Sequence, residues 1–392
     1  MKVYLDHAAT TYTDERVFEK MKPYYTELFG NANSQHFYGR QTEQAVSEAR
    51  AQVAQAINAK PNEIYFTSGG SEADNWALKG ILSAYKSKGN HIITTKIEHA
   101  AIMSCCKQLE REGAEITYLD VDENGIVDLK QLENSIRDTT VLVSVMTANN
   151  EIGTIEPIEE VVKIAHAKGV LVHTDAVQAA GTLDIDVKAW GVDLLSLSAH
   201  KFYGPKGIGA LYVRNGVKIA RLINGGEQER GLRGGTTNTP CVVGMGEALS
   251  IAVAEREANN KKICELRDRF VSMVESEIPF VKYNGDRKRR LPGNANFSFR
   301  YIEGESILFS LDMKGIAASS GSACSSGSLE ASHTLLAIGV EEGLAHGSIR
   351  FSFGKDNTAE QVDYTVSVLK EVVERLRKMS PLFKVQEEYA NV

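Results

Sequence analysis

Through the first two thirds of this sequence, apolar runs of strand length alternate with amphipathic stretches of helical length. No other feature limits the fold as much. EIYFT (63–67), HIITT (91–95), EITYL (115–119), VLVSVMT (141–147) and VLVHTDA (170–176) read as buried strands. Between them, 41–57, 71–88, 101–113 and 158–169 read as helices, the last two closed by Gly113 and Gly169. Such alternation predicts an α/β fold, a mostly parallel sheet with helices on both faces and ligands at the carboxyl ends of the strands. After IGALYV (208–213) the rhythm changes. A long helical stretch runs from about Val242 to Glu275, and shorter strand-like and helical segments follow. Two domains are expected for 392 residues. The larger spans 16–255, and a smaller α+β domain is built from 1–15 with 256–392.

Charge and cysteine content narrow the function classes. The net charge of −7 disfavours a protein that coats nucleic acid, and no direct nucleic-acid partner is expected. The basic run Arg287–Arg290 reads as a solvated loop face. No apolar run reaches the ~18 residues of a membrane span, and MKVYLDHAATT shows no signal peptide. Five cysteines without metal-like spacing fit a reducing cytoplasm, and no metal is expected.

The chemistry concentrates at strand ends. In SLSAHKFYGPKGIGALYV (196–213) a strand ends at Ser198, with His200 and Lys201 just beyond it. A lysine there is either a solvated surface group or a Schiff-base former. Asp175 ends another strand, followed by Gln178; it reads as a helix cap, a metal ligand or the partner of a pyridinium nitrogen. Pyridoxal phosphate needs such a carboxylate together with such a lysine. FTSGGSEADN (66–75) offers a cradle for its phosphate, with Gly70 and Ser71 at a helix start, although Ser71 with Asp74 also resembles a plain capping box. GLRGGTTNTP (231–240) is a second Gly/Thr loop before a helix, either a turn or a phosphate site. His99, between a strand and a helix, is either structural or an imidazole against the cofactor ring. Asn149 and Asn150 close the VLVSVMT strand, either as a turn or as ring contacts.

Cys324 lies in SSGSACSSGS (319–328), ten small residues with almost no apolar surface. Such composition suits a segment that must move rather than a core.

Together with YLDHAATT near the start, these segments resemble the cysteine desulfurases of the IscS/NifS type. These are class V aminotransferase relatives with the pyridoxal-phosphate type I fold and a seven-stranded-type sheet, and the resemblance covers roughly residues 3–375. It implies Lys201 as the Schiff-base lysine, Asp175 as the pyridinium partner, Gln178 on the ring hydroxyl and His99 on the ring face. Gly70, Ser71, Ser198 and His200 are implied to bind the phosphate, joined by Thr236 from a second subunit of a homodimer. Asn150 matches a cofactor-side asparagine, Arg350 the arginine that grips the substrate carboxylate, and Asn33 a substrate-side position.

Two departures stand out: Gly70-Ser71 where Ala-Thr is common, and FGNANSQHFYG where the family carries Asn-Pro-Ser-Ser. The implied reaction takes L-cysteine to L-alanine and leaves a persulfide on Cys324, carried by a loop at about 319–330. From there the sulfur goes to an iron–sulfur scaffold protein or a tRNA-thiolation enzyme. The thiolate is the nucleophile, so Cys324 needs a lowered pKa or a nearby base, for which His99 is the best candidate. The competing readings are an aminotransferase, a selenocysteine lyase and a sulfur-delivery scaffold with vestigial catalysis.

Overall fold

The computed structural model describes residues 1–320 and 331–383. Twelve strands are present among them: β1 (Val3–Tyr4), β2 (Ile64–Thr67), β3 (His91–Thr95), β4 (Glu115–Leu119), β5 (Thr140–Ser144), β6 (Leu171–Asp175), β7 (Leu194–Ser198), β8 (Gly209–Val213), β9 (Val281–Asn284), β10 (Asn294–Phe299), β11 (Ile316–Ala317) and β12 (Ser348–Ser352). Seven of them form one sheet in the order β2-β8-β7-β6-β5-β3-β4. All neighbours from β7 to β4 pair in parallel; β8 runs against both β7 and β2.

The expected strands are present, and their composition explains their places. β3, β5, β7 and β8 are buried at every residue, as a sheet covered on both faces requires, and accordingly lack polar alternation. β4 begins with exposed Glu115 and is an edge strand, where charge discourages further pairing. The VLVSVMT run overshoots β5, which ends at Ser144. Val145 and Thr147 continue alongside β6, their N–H groups bonding His173 O and Asp175 O.

The helix Thr239–Glu277 is 39 residues long, about 58 Å at 1.5 Å per residue. Its first turns, Cys241 to Leu249, are buried with the large-sheet core that contains Val53, Leu195 and Phe202. Its last turns, Leu266 to Val274, pack in a second core with Val3, Leu5, Phe297, Phe351 and Leu369. Phe270 anchors this second core, its ring centroid 4.7 Å from Phe351 and 5.4 Å from Phe353. The antiparallel sheet β9-β10-β12 and the helix Ala359–Met379 complete it, with β1 paired in parallel to β11.

The basic run departs from the solvated face expected of it. Arg287 ion-pairs with Glu275 on the surface, but Arg290 is buried. Its guanidinium donates to the carbonyls of Ile152 and Asp286, and Leu291 N–H bonds Gly153 O. The reason is geometric: these carbonyls lie in buried turns, and the five-donor fork of arginine can satisfy several at once. Among the described residues, no helix is long and apolar enough to cross a membrane, and no group of side chains is arranged to hold a metal ion.

Candidate active site

A cavity of about 330 Å³ opens at the carboxyl ends of the strands. It gathers ten of the residues singled out in the sequence: Gly70, Ser71, His99, Asn150, Asp175, Gln178, Ser198, His200, Lys201 and Arg350. They come from six separate places in the chain, assembled because β2, β5, β6 and β7 all end there and β12 reaches in from the second core.

The glycine turn after β2 forms one wall. Gly69 adopts φ +156°, a conformation open essentially to glycine, and the helix Gly70–Ala84 starts directly after it. A Cβ on Gly70 would come within 2.8 Å of Val177 Cγ2. No side chain caps this helix, so the capping-box reading of Ser71 with Asp74 is overturned: Ser71 already lies within the first turn and Asp74 is buried. Glu72 turns back instead. It accepts the Ser68 N–H at 2.7 Å and pairs with both Arg233 Nε and Nη2. An uncapped helix N-terminus flanked by Ser71, Ser198 and His200 is suited to an anion.

Asp175 occupies the end of β6, buried, with Oδ1 accepting the Val177 N–H at 2.9 Å. Burial raises its pKa, while His99 and Lys201 nearby favour its charge. A carboxylate so placed fits a cationic ring nitrogen. Lys201 follows β7 in a single 3-10 turn, its Nζ donating to Ala8 O and Ala9 O at 2.5 and 2.8 Å. Gln178 donates to Ala8 O as well, so the N-terminal segment floors the cavity. His200 Nδ1 lies 3.0 Å from Thr10 Oγ1. Burial, with Lys201, Lys206 and His99 close by, pushes its pKa down to about 4, so it is a neutral imidazole. His99 is the N-cap of the helix Ala100–Arg111. Its Nδ1 accepts the Ala101 N–H at 3.1 Å, which places the ring proton of the neutral form on Nε2.

The two asparagines separate. Asn149 is fully buried and builds the turn, donating to Ile97 O and accepting the N–H groups of Glu151 and Ile152. Asn150 alone lines the cavity. Arg350 on β12 is not the outward arginine a strand residue often is: it is buried, with Nη2 2.8 Å from Asp6 Oδ1 and Nη1 donating to Asn150 O.

Two candidates lie elsewhere. Asn33 is exposed in the loop before the helix Phe37–Ala56, its N–H turned to Asn31 Oδ1, and is not part of this cavity. Thr236 is exposed beyond the Arg233–Glu72 pair and does not line the cavity either. Cys324 lies outside the described residues. The chain on either side of that stretch is tied to the site. Ser319 exchanges backbone hydrogen bonds with Arg350, Ser332 Oγ donates to Glu151 Oε2 at 2.5 Å, and His333 Nε2 meets Glu98 O at 3.0 Å.

Sequence reasoning passed over Asp6, Ala8, Ala9, Met146 and Val177, and read Asp74 only as half of a capping box. Only Asp74 and Asp6 carried a signal: acidic residues inside motifs already under consideration.

Comparisons with known proteins place the chain in a family. The family model "Aminotransferase class-V" matches residues 3–365. "Cysteine desulfurase IscS" of Clostridium botulinum (strain Hall) is 55% identical over 385 residues, covering 98% of this chain and 97% of its own. A solved structure titled "NIFS-LIKE PROTEIN" superposes with a TM-score of 0.91 at 40% identity, covering 96% of this chain and all of its own. Another, "SspA in complex with cysteine", does so with a TM-score of 0.81 at 35% identity over 91% of this chain and all of its own. The chain belongs to the class V aminotransferase family and, within it, to the pyridoxal-phosphate-dependent cysteine desulfurases.

Proposed function

We propose that this enzyme moves the sulfur of L-cysteine onto Cys324, with Lys201, Asp175, His99 and Arg350 as the working groups. The observation that carries the reading is their convergence on one cavity, bounded by an uncapped helix start. Pyridoxal phosphate, once bound, withdraws electrons from the α-carbon of an attached amino acid and so weakens the bonds around it.

The chain's own residues divide the remaining work. The Gly70–Ser71 helix start binds the phosphate with Ser198 and the neutral His200, and Asp175 and Gln178 orient the ring. Lys201 Nζ holds the cofactor and afterwards moves a proton. His99 exchanges a proton at Nε2, since its Nδ1 is engaged by Ala101 N–H. Arg350 grips the substrate carboxylate, for which a bidentate guanidinium is suited. The Cys324 thiolate then attacks the substrate sulfur: an S–S bond forms as the Cβ–S bond breaks. The bonding pair stays with Cβ, which takes a proton, so alanine leaves and a persulfide remains on Cys324. The described residues flanking 321–330 support this, because both flanks bond groups at or beside the cavity.

The division into 16–255 and 1–15 with 256–392 is part of the proposal, supported by the separate cores on either side of the long helix. So is a homodimer in which Thr236 serves the partner's phosphate site; Thr236 is exposed and absent from its own chain's cavity. The sulfur acceptor we propose is an iron–sulfur scaffold protein or a tRNA-thiolation enzyme.

The deciding experiment incubates the enzyme with L-cysteine and a thiol reductant and measures alanine and sulfide. Equal amounts are expected from the wild type and neither from Cys324→Ala. Undiminished sulfide release by Cys324→Ala would remove Cys324 from the reaction.

A further inference from the structure

Asp74 is an acid lining the cavity that the proposed reaction does not use. It points from the first turns of the helix Gly70–Ala84 toward the sheet, 1% exposed, and lines the same cavity as Asp175. Among the described residues its Oδ1 has no hydrogen-bond partner, and the Ser196 hydroxyl bonds the carboxyl. The nearest ring nitrogen, His173 Nε2, is 3.7 Å away, too far for a hydrogen bond.

His173 does not supply a charge either. It stands two residues before Asp175 on β6, on the same face, because strand side chains alternate. Both its nitrogens are held by hydroxyls, Nδ1 by Ser144 Oγ and Nε2 by Ser196 Oγ, each at 2.9 Å. Fully buried, its pKa falls to about 3, so the ring is neutral. The sequence Ser144–His173–Ser196–Asp74 is therefore a run of hydrogen bonds without a cation.

The other groups facing Asp74 do not favour its charge. Asp175 repels a second anion, and Cys105, on the helix Ala100–Arg111, is held as a neutral thiol by burial. Glu98 is itself pushed up to about 8 by burial. Lys201 and His99 act on Asp175 instead. The start of the helix Gly70–Ala84 favours an anion only weakly, whereas burying an unpaired carboxylate is costly. Two buried carboxylates in one cavity, with the neighbouring positive groups acting on Asp175, hold one proton between them.

We propose that Asp74 is a positioning residue: it keeps the proton of the pair and so confines the negative charge of the pocket to Asp175, where the ring nitrogen of the cofactor would sit. This rests on the reading of Asp175 as the partner of that nitrogen. Protonated, Asp74 also fixes the Ser196 and His173 rotamers beneath β6 without placing a competing anion there.

The test compares holoenzymes of wild type, Asp74→Asn and Asp175→Asn near pH 7.5. Infrared difference spectra read protonation directly: wild type minus Asp74→Asn shows a buried carboxylic acid band. Retention of pyridoxal phosphate on dialysis reads the consequence. Asp74→Asn, the neutral isostere, holds the cofactor within about threefold of wild type, and Asp175→Asn loses at least tenfold. Absence of the acid band, or a tenfold loss in Asp74→Asn, overturns the role of Asp74 while leaving that of Asp175 intact. Full retention by Asp175→Asn overturns the reading of Asp175, and the positioning role falls with it.

Discussion

Arg350 Nη2 lies 2.8 Å from Asp6 Oδ1, so the guanidinium that faces the cavity is already oriented by a carboxylate of the N-terminal segment. Its Nη1 donates to Asn150 O, and its Nε is buried without a partner among the described residues. That leaves Nε and a remaining Nη2 hydrogen for an incoming carboxylate, in the fork geometry lysine lacks. Arg350→Lys is expected to lower kcat/KM for L-cysteine about 10- to 100-fold, chiefly through KM. Steady-state kinetics with L-cysteine checks this; an unchanged KM would place the carboxylate elsewhere.

The two lysines of HKFYGPK differ in position, and the difference is testable. Lys201 Nζ reaches into the cavity beneath Ala8 and Ala9, whereas Lys206 is exposed and bonds Thr11 O from outside it. Lys201→Ala is expected to lose the yellow absorbance of bound cofactor and all but a trace of activity. Lys206→Ala retains the absorbance. Visible spectra of the two purified variants decide between them.

What the sequence made legible follows from the physics of each residue. Lys201, Asp175 and the Ser68–Ser71 turn were visible because they interrupt apolar runs exactly where strands end, and polar residues there face a crevice. Asp74, Glu98 and Arg290 were not. Each is a charged residue in a polar stretch, and only the packing of a helix or loop against the sheet buries it. Asn149 and Asn150 looked equivalent because the turn that separates their roles depends on Ile97, 52 residues away. The end of β5 was less legible than the others, since Val145–Thr147 stays beside β6 after the regular ladder of β5 has finished.

The turn at Gly69 is expected to tolerate no side chain. An added Cβ would meet nothing within 4 Å, so crowding is not the obstacle; the φ of +156° is. For alanine that conformation costs about 1–3 kcal/mol, and relaxing it would rotate the first N–H groups of the helix away from the cavity. Gly69→Ala should weaken pyridoxal phosphate binding about tenfold while the apo-protein stays folded. Equilibrium dialysis together with circular dichroism measures both.

Phe270 carries the second core. Fully buried on the far half of the long helix, it packs its ring against Phe297, Phe351 and Phe353 at 6.2, 4.7 and 5.4 Å. Removing a buried phenylalanine side chain leaves a cavity and costs about 3–5 kcal/mol. Phe270→Ala is expected to lower the unfolding midpoint in urea without altering the cofactor absorbance of the protein that remains folded.

Glu98 gives the fold a pH dependence of definite sign. Its Oε1 accepts from Met146 N–H and Thr95 Oγ1, Oε2 has no partner among the described residues, and burial raises its pKa to about 8. The folded state therefore holds this proton more tightly than the unfolded chain, where the carboxyl titrates near 4.5. Between those values the native state binds more protons, so stability falls as pH rises from about 4.5 to about 8 and levels off above it. Glu98→Gln keeps the Oε1 acceptor and removes the titration. It is expected to be more stable than wild type at pH 8.5 by about 2 kcal/mol, roughly half of what the full shift implies at 1.36 kcal/mol per unit. The advantage shrinks toward zero near pH 4.5. Urea unfolding of both proteins across that range measures the difference, and a gap that does not widen with pH would mean that Glu98 is ionised in the folded protein.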